Sequence, residues 1–364
     1  MPLAVRIHLF AAAVTAATVA AVIHLRRRRS HIKAMGSTLL VLFAKSTEEL
    51  KLAQSLKLKF KNTSDALKVS EEEKEVKVQL GSDVGPDSQV NFGVGLYMDS
   101  LVASRFGRLL LWSPRLSSTH DLVSKNFHEL PLGTVCITDN QFKGRGRSKN
   151  VWDSPLGCLL FSFILQMEDG RKLPLLQYVV SLAVTEAIKQ LCQDKGLPQL
   201  DVRIKWPNDL YLEGLKVGGI LCTSSYQSKF FNVSAGVGLN VDNEKPTTCL
   251  NAVLEKMRPN SSKLTREEIL ASFFNKFEEL FDILLNEGFN VLEDLYCKTW
   301  LHSGQKVVIE EKIDGRSIQS EVTIKGLTSS GYLLATDKQK NSYELNPDGN
   351  SFDFFKGLVR RKLE

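Results

Sequence analysis

The sequence predicts an α/β (α+β) fold built on a mixed, largely antiparallel sheet, followed by a small β-barrel at the C-terminal end. Three patterns carry that expectation. Leu173 to Gln193 spaces its apolar residues with helical period. Asp201 to Trp206 alternates, Val202, Ile204 and Trp206 facing one way and Arg203 and Lys205 the other, as a half-buried strand does. The tail from Gln305 to Leu358 consists of short alternating segments broken by Asp314-Gly315, Ser330-Gly331 and Asp348-Gly349, turn dipeptides that suit a small barrel.

The remaining elements follow in chain order. Leu9 to Leu25 is an Ala/Val-rich apolar stretch followed by four arginines, Arg26 to Arg29. A secretory signal has the opposite order of charge and apolar run, so an organelle transit peptide or a single membrane anchor is expected over 1–37. Met35 offers a second start that would remove the basic stretch and leave the product in the cytosol. From 38 to 90 an apolar run (Leu39 to Phe43), a helix starting at Ser46 with Glu48 and Glu49 in its first turn, and a charged segment (Glu71 to Lys77) suggest a small α/β appendage, closed by a linker from Gly81 to Gln89. After the Pro207-Asn208-Asp209 turn, Glu213-Gly214 closes a hairpin into Lys216 to Leu221, and Phe231 to Val241 supplies another strand. Lys263 to Glu287 is again helical, with Thr265 and Glu268 spaced as a capping box.

Composition narrows the classes of function. A chain of 364 residues exceeds one ordinary domain, and 43% hydrophobic with 24% charged residues excludes wholesale disorder and a polytopic membrane protein. The 47 basic and 41 acidic residues give a net charge of +6, but seven basic residues precede Glu48, the first acidic one, so the body carries 40 against 41. A near-neutral body is no nucleic-acid signature, and the first 100 residues hold no convincing helix-turn-helix. Cys136, Cys158, Cys192, Cys222, Cys249 and Cys297 show no Cys-x-x-Cys spacing, which points to a reducing compartment without structural zinc. Only His120, His128 and His302 remain in the body, too few for histidine-rich metal chemistry.

Chemistry concentrates in two segments. In Gly144-Arg145-Gly146-Arg147-Ser148-Lys149-Asn150-Val151-Trp152, extended geometry would project Arg145 and Arg147 to the same side while the glycines admit a ligand close to the backbone. Guanidinium groups grip phosphate or carboxylate bidentately, each charged hydrogen bond contributing about 1.5 to 3 kcal/mol once desolvated. Trp152 offers a ring for stacking a base. A solvated Gly/Arg turn or an RNA-type patch is the alternative, whereas the Walker and dinucleotide patterns do not fit. In Lys205-Trp206-Pro207-Asn208-Asp209 a lysine ends a strand beside a turn, although a strand lysine opposite an apolar face is often just the solvent side. Lys216 opens Lys-Val-Gly-Gly-Ile-Leu, where Gly218 and Gly219 inside an apolar strand call for a close backbone approach, a bulge or a ligand. Gly236-Val237-Gly238-Leu239-Asn240 is a third glycine-bearing strand, ending in a polar residue.

With these segments in this order and spacing, the chain from Leu109 to Lys356 resembles biotin protein ligases, also called holocarboxylase synthetases, of the plant kind. Each motif alone is weak; four in register are specific. Ser117-Ser118-Thr119-His120 stands where the family usually has Ser-Thr-Asn, so His120 is a departure, and Gln141 matches the family's glutamine before the arginine loop. The resemblance implies a catalytic domain over 91–301 akin to class II aminoacyl-tRNA synthetases and an SH3-like barrel over 302–364. It implies ATP and biotin as substrates, with Mg2+ carried through ATP phosphates rather than by a dedicated set of protein ligands. The implied acceptor is the carrier domain of a biotin-dependent carboxylase. Neither nucleic acid nor a membrane is an expected partner of the body, and the state is monomer or homodimer. A plastid or mitochondrial location follows from the leader.

Carried over position by position, the resemblance places Ser118, Thr119, His120, Gln141, Arg145, Gly146, Arg147, Lys205 and Gly218 around biotin. Arg145, Arg147, Trp152, Asn208, Lys216 and Asn240 fall around ATP and the adenylate, and Arg147, Lys205 and Lys216 are the catalytic cations. Joining a carboxylate to a triphosphate needs positioned positive charge more than a nucleophile. In the second step the carrier lysine attacks, which accords with the missing nucleophile motifs. Asp209 could deprotonate that lysine, orient Lys205 or cap the turn, and orientation is favoured. Gly144 to Val151 is expected to fold over the intermediate. A lipoate ligase is the nearest rival enzyme; a non-catalytic nucleic-acid binder is the rival from another class.

Overall fold

Strands from both ends of the first 240 residues meet in one nine-stranded sheet, in the order β2-β1-β3-β4-β5-β9-β8-β7-β6. They are β1 (Thr38–Ala44), β2 (Val76–Leu80), β3 (Leu109–Ser113), β4 (Val135–Thr138), β5 (Cys158–Met167), β6 (Arg203–Lys205), β7 (Asp209–Leu212), β8 (Leu215–Gln227) and β9 (Phe230–Asn240). Only the β1–β2 and β3–β4 pairs are parallel, so the sheet is mixed and largely antiparallel, as expected. The computed structural model describes residues 38–361 except 63–66, 74–75, 86–89, 244, 314–315, 348–349 and 354–355. The leader, Met35, the end of the linker and the Asp314-Gly315 and Asp348-Gly349 turns lie outside the described residues.

Seven helices accompany the strands among the described residues: α1 (Thr47–Asn62), α2 (Val94–Ser100), α3 (Thr119–Lys125), α4 (Leu173–Asp194), α5 (Leu250–Met257), α6 (Arg266–Asn286) and α7 (Asn290–Thr299). Strand alternation decides which helices cover which face. Val41, Leu110 and Trp112 face the cluster formed by α4 and α6, where Phe163 packs edge-on to Phe273, Phe274 and Phe277. Leu40, Leu42, Leu109 and Leu111 face the opposite cluster, shared with Ala53 and Leu56 of α1 and Leu122 and Val123 of α3. Burying each such side chain contributes about 1.5 to 3 kcal/mol, so both faces of the N-terminal half of the sheet are firmly covered. The Thr265–Glu268 capping box is present at the start of α6, and Glu268 also holds Lys195 at the end of α4 at 2.6 Å.

One expectation is overturned here. The stretch 38–90 is no appendage: β1 pairs antiparallel with β3 through Val41–Trp112 to Ala44–Leu109, making the segment an integral part of the nine-stranded sheet. The apolar run Leu39 to Phe43 needs two buried faces, and only a place inside a larger sheet supplies them. The apolar run and the helix were read at the right places, whereas β2 was not read as a strand, and the partner of β1 lies some 70 positions away and leaves no local trace.

The tail forms a second sheet, β13-β12-β11-β10-β15-β14, from β10 (Lys306–Ile313), β11 (Arg316–Leu327), β12 (Leu333–Thr336), β13 (Ser342–Leu345), β14 (Asn350–Asp353) and β15 (Leu358–Arg361). Its apolar side packs into the same core as α4 and α7 through Val307, Ile309, Ile324 and Leu333. Among the described residues, no helix is long and apolar enough to cross a membrane.

Candidate functional site

On the α3 side of the sheet, helices cover β1 to β5 and then stop. Beyond α3 the floor over β5, β9 and β8 is paved with small residues: Ser162 lies opposite Gly236, and Gly238 lies opposite Gly219. A cleft of about 260 Å³ opens there. The glycine at 238 is required by close approach, since a β-carbon on it would stand 2.6 Å from Trp152 Cε2 and 2.7 Å from Nε1. The indole therefore lies flat against bare backbone, a shelf that no side chain interrupts.

The arginine segment rises beside this floor as a small closed loop. Trp152 N–H donates to Gly144 O at 2.9 Å, Gly146 N–H to Asn150 O at 2.9 Å, and Arg145 bridges Val151 across the loop. Gly144 serves this closure, because a β-carbon there would meet Trp152 O at 2.4 Å. Both arginines line the cleft, but they do not form the parallel fork expected of an extended strand. Arg145 pairs with Asp121 in the first turn of α3, whereas Arg147 donates to Asn208 Oδ1 at 3.0 Å and to Pro347 O at 3.3 Å. The short 3-10 turn at Arg147–Lys149, with Ser148 at a φ of 52°, breaks the alternation that would have aligned them.

Beneath the loop sits the Lys-Trp-Pro-Asn-Asp turn. Trp206 is buried and anchored twice: its backbone N–H donates to His302 Nε2 at 2.9 Å and its indole N–H to Tyr178 Oη at 2.8 Å. That anchoring leaves Lys205 directed into the cleft, its ammonium 5.8 Å from the Tyr211 ring and, among the described residues, without an ion-pair partner. Asn208 is pinned by its Nδ2 donating to Ile220 O at 2.6 Å. Lys216 pairs with Asp209 at 2.7 Å and lies 5.5 Å over the Trp152 ring. Asp209 is the one carboxylate among the described lining residues, and among the described residues no three His, Cys, Asp or Glu side chains cluster for a metal.

At the far end, Ser118 caps α3, and Thr119 Oγ1 contacts Ser162 Oγ at 2.9 Å while its N–H donates to Gln141 Oε1 at 2.8 Å. Gln141 in turn donates to Ser154 Oγ at 3.2 Å. His120 is buried against Gly236, with Nε2 at 3.1 Å from Thr223 Oγ1. Burial, then the nearby Arg145 charge, lowers its pKa to about 4, so the ring is neutral at pH 7.

Ser118, Thr119, His120, Gln141, Arg145, Gly146, Arg147, Trp152, Lys205, Asn208 and Lys216 thus share one cleft. Two expected residues do not. Gly218 points away, its hydrogen-side space filled by Leu210 and Leu239, because alternation gives the ligand side to Gly219. Asn240 is buried behind the site, donating to Thr248 O at 3.0 Å and Thr247 Oγ1 at 3.3 Å, and Thr247 in turn holds Lys216 O at 2.6 Å. It supports the lysine strand instead of facing the ligand. Ser162, Pro347 and Phe352 line the cleft without having been singled out, and Gly219 and Gly238, noted only as strand glycines, line it as well. A serine inside the apolar run Cys158–Met167 was a readable signal for the first; Pro347 and Phe352 come from the C-terminal sheet and had none.

Comparison with known proteins accords with this geometry. Residues 112–240 match the Biotin/lipoate A/B protein ligase family. The chain is 60% identical over 337 residues to "Biotin--protein ligase 1, chloroplastic" of Arabidopsis thaliana, covering 92% of this chain and 90% of that one. It is also 60% identical to "Biotin--protein ligase 2" of the same plant, covering 89% and 98%. A solved structure, "Biotin protein ligase from Aquifex aeolicus in complex with biotin and ATP", aligns with a TM-score of 0.49 and 24% identity over 65% of this chain and 94% of that one.

Proposed function

The chain belongs to the biotin protein ligase family, and from that premise we propose a reaction for the cleft: ATP-dependent formation of biotinyl-5'-AMP, then transfer of biotin to a lysine of a carboxylase carrier domain. The observation that carries the reading is the convergence of Arg145, Arg147, Lys205 and Lys216 with Trp152 in one cleft. Two anions must meet there, and charge builds on the α-phosphoryl group and the departing pyrophosphate. Cations already held at the cleft offset both with little reorganisation, Arg145 excepted.

Each part has a role under this reading. Trp152, flat on Gly238 and Gly219, stacks the adenine, with Lys216 above its ring. Lys205, which has no ion-pair partner among the described residues, meets the biotin carboxylate and α-phosphate. Arg147, already held by Asn208 and Pro347, is preorganised for the phosphates, while Arg145 must leave Asp121 to engage the ligand. Ser118, Thr119, Ser162 and neutral His120 supply the mixed donors and acceptors that a buried ureido ring requires. Magnesium travels on the nucleotide's phosphate oxygens, with Asp209 within the cleft. Asp209 pairs with Lys216 and not with Lys205, so the lysine it orients is Lys216, and that pairing favours an orienting role over proton abstraction.

A neighbouring cleft shares Arg145 to Ser148 and Pro347 with the first and runs along Leu221 to Ser224. The carrier lysine approaches by this route. The basic leader, together with the relative named chloroplastic, supports delivery to the plastid. The decisive experiment incubates purified protein with labelled biotin, ATP and a biotin carrier domain. Label on the acceptor lysine is expected; pyrophosphate release with lipoate but not with biotin would refute the assignment.

A further inference from the structure

Helix α3 carries the ureido end of the cleft, yet at seven residues it is too short to hold itself in place. A strap from the N-terminal region grips it at both ends. At its start, Ser117 N–H donates to Glu73 Oε1 and Ser117 Oγ to Glu73 Oε2, both at 2.8 Å. At its end, Asn126 accepts from Lys68 N–H at 2.7 Å and donates to Lys68 O at 2.8 Å. Between these bonds Leu67 and Val69 pack on the cluster that contains Leu116, Leu122, Val123 and Phe127. Ser70 N–H closes the strap onto Glu73 Oε2 at 3.0 Å.

Glu73 is 4% exposed and, among the described residues, makes no ion pair; all three of its bonds come from neutral donors. A buried carboxylate is a costly way to fill space, but its charge makes these bonds roughly twice as strong as neutral ones and therefore stiff. What they fix is Ser117, whose next three residues enter the cleft. Ser117 O also receives Lys143 N–H at 2.9 Å, immediately before the arginine loop. We propose that Glu73 is a positioning residue for biotin: through Ser117 it sets Ser118, Thr119 and His120 at the ureido subsite, and the strap 67–73 exists to present it. The inference rests on the biotin reading above. The nucleotide side, Trp152, Asn208 and Lys216, stands on β8 and the loop walls and, among the described residues, makes no hydrogen bond or ion pair with the strap, which reaches only the root of the arginine loop through Glu72 and Lys143 at 2.9 Å.

The test compares full-length wild type, Glu73→Ala and Glu73→Gln in biotin-dependent pyrophosphate release, with thermal unfolding in parallel. Losing two bonds at Ser117 is expected to raise KM for biotin about tenfold in Glu73→Ala while KM for ATP stays within about twofold. Glu73→Gln, which keeps an acceptor for Ser117 N–H, is expected within about threefold of wild type. A biotin KM that does not move, whatever the melting temperature does, overturns the proposal, and so does an equal rise in both KM values. Should Glu73→Ala fail to fold, Ser117→Ala removes only the hydroxyl bond and must give the same split at about threefold; no split overturns the proposal. Wild type that releases no pyrophosphate with biotin would instead refute the biotin reading itself.

Discussion

Replacing Gly238 by alanine tests the shelf under Trp152. The backbone there is an ordinary strand, so alanine meets no conformational penalty, and any effect must come through the ring. The added β-carbon would stand 2.6, 2.7 and 2.9 Å from Cε2, Nε1 and Cζ2 of the indole. Comfortable carbon contacts lie near 3.5 to 4.0 Å, so a rigid ring has to retreat by roughly 1 Å across its width. Overpacking of this kind costs about 1 to 3 kcal/mol, which, drawn from nucleotide binding, is roughly a fivefold to hundredfold rise in KM for ATP. The assay is pyrophosphate release at saturating biotin. The control is the double variant: with Trp152→Ala there is no ring to displace, so adding Gly238→Ala should change nothing further. Additive losses, or an ATP KM within twofold of wild type in Gly238→Ala, would refute the stacking shelf.

Lys205→Met keeps the stem and deletes the unpaired ammonium; adenylate formation should fall by about a hundredfold or more, as it does when one charge-stabilising donor is lost, and a fall under tenfold in single-turnover measurements would remove Lys205 from the reacting centre. Asp121→Asn frees Arg145 in the unliganded protein, so trypsin should cut the 144–151 loop faster than in wild type, and biotin with ATP should restore protection; unchanged cleavage rates would mean the Arg145–Asp121 pair does not restrain the loop. His120 and His302 both have pKa values lowered to about 4, chiefly by burial, against 6.5 unfolded. The unfolded chain therefore binds more protons between those values, and stability present above pH 6.5 is lost as pH falls, by about 2 kcal/mol per ring at pH 5. Melting temperatures from pH 7.5 to 5 should fall accordingly, and His120→Asn should remove about half of that fall; an unchanged slope would contradict it.

Local chemistry was legible and long-range pairing was not. The hairpin at Glu213-Gly214, the capping box at Thr265 and the alternation of Val202, Ile204 and Trp206 each depend on residues within a few positions, and each is where it was expected. The place of β1 inside the sheet depends on pairing with Leu109 to Trp112, and a charged run such as Glu71 to Lys77 reads as solvated until its buried partner is known. Glu73 is that case: its neighbours invite the surface reading, and only Ser117, 44 positions on, gives it a reason to be inside.

The same distinction separates the site's two errors. Gly218 and Gly219 are adjacent, and motif membership alone could not choose between them. Register can: Gly219 pairs with Gly238, which pairs with Leu160, whereas Gly218 pairs with Leu239 on the core side. Asn240 shares the parity of Gly238 and Gly236, so alternation alone would place it in the cleft. It misses because β9 ends there and its amide is taken by the 247–248 segment. A residue contacting ligand can therefore be read from motif and parity together, but one that holds the motif in place is identified only by its partner. Pro347 and His302 hold Arg147 and Trp206 across 200 and 96 positions, so the C-terminal segment from 302 onward helps to shape the cleft. Removing it should abolish adenylation in a protein that still carries every motif.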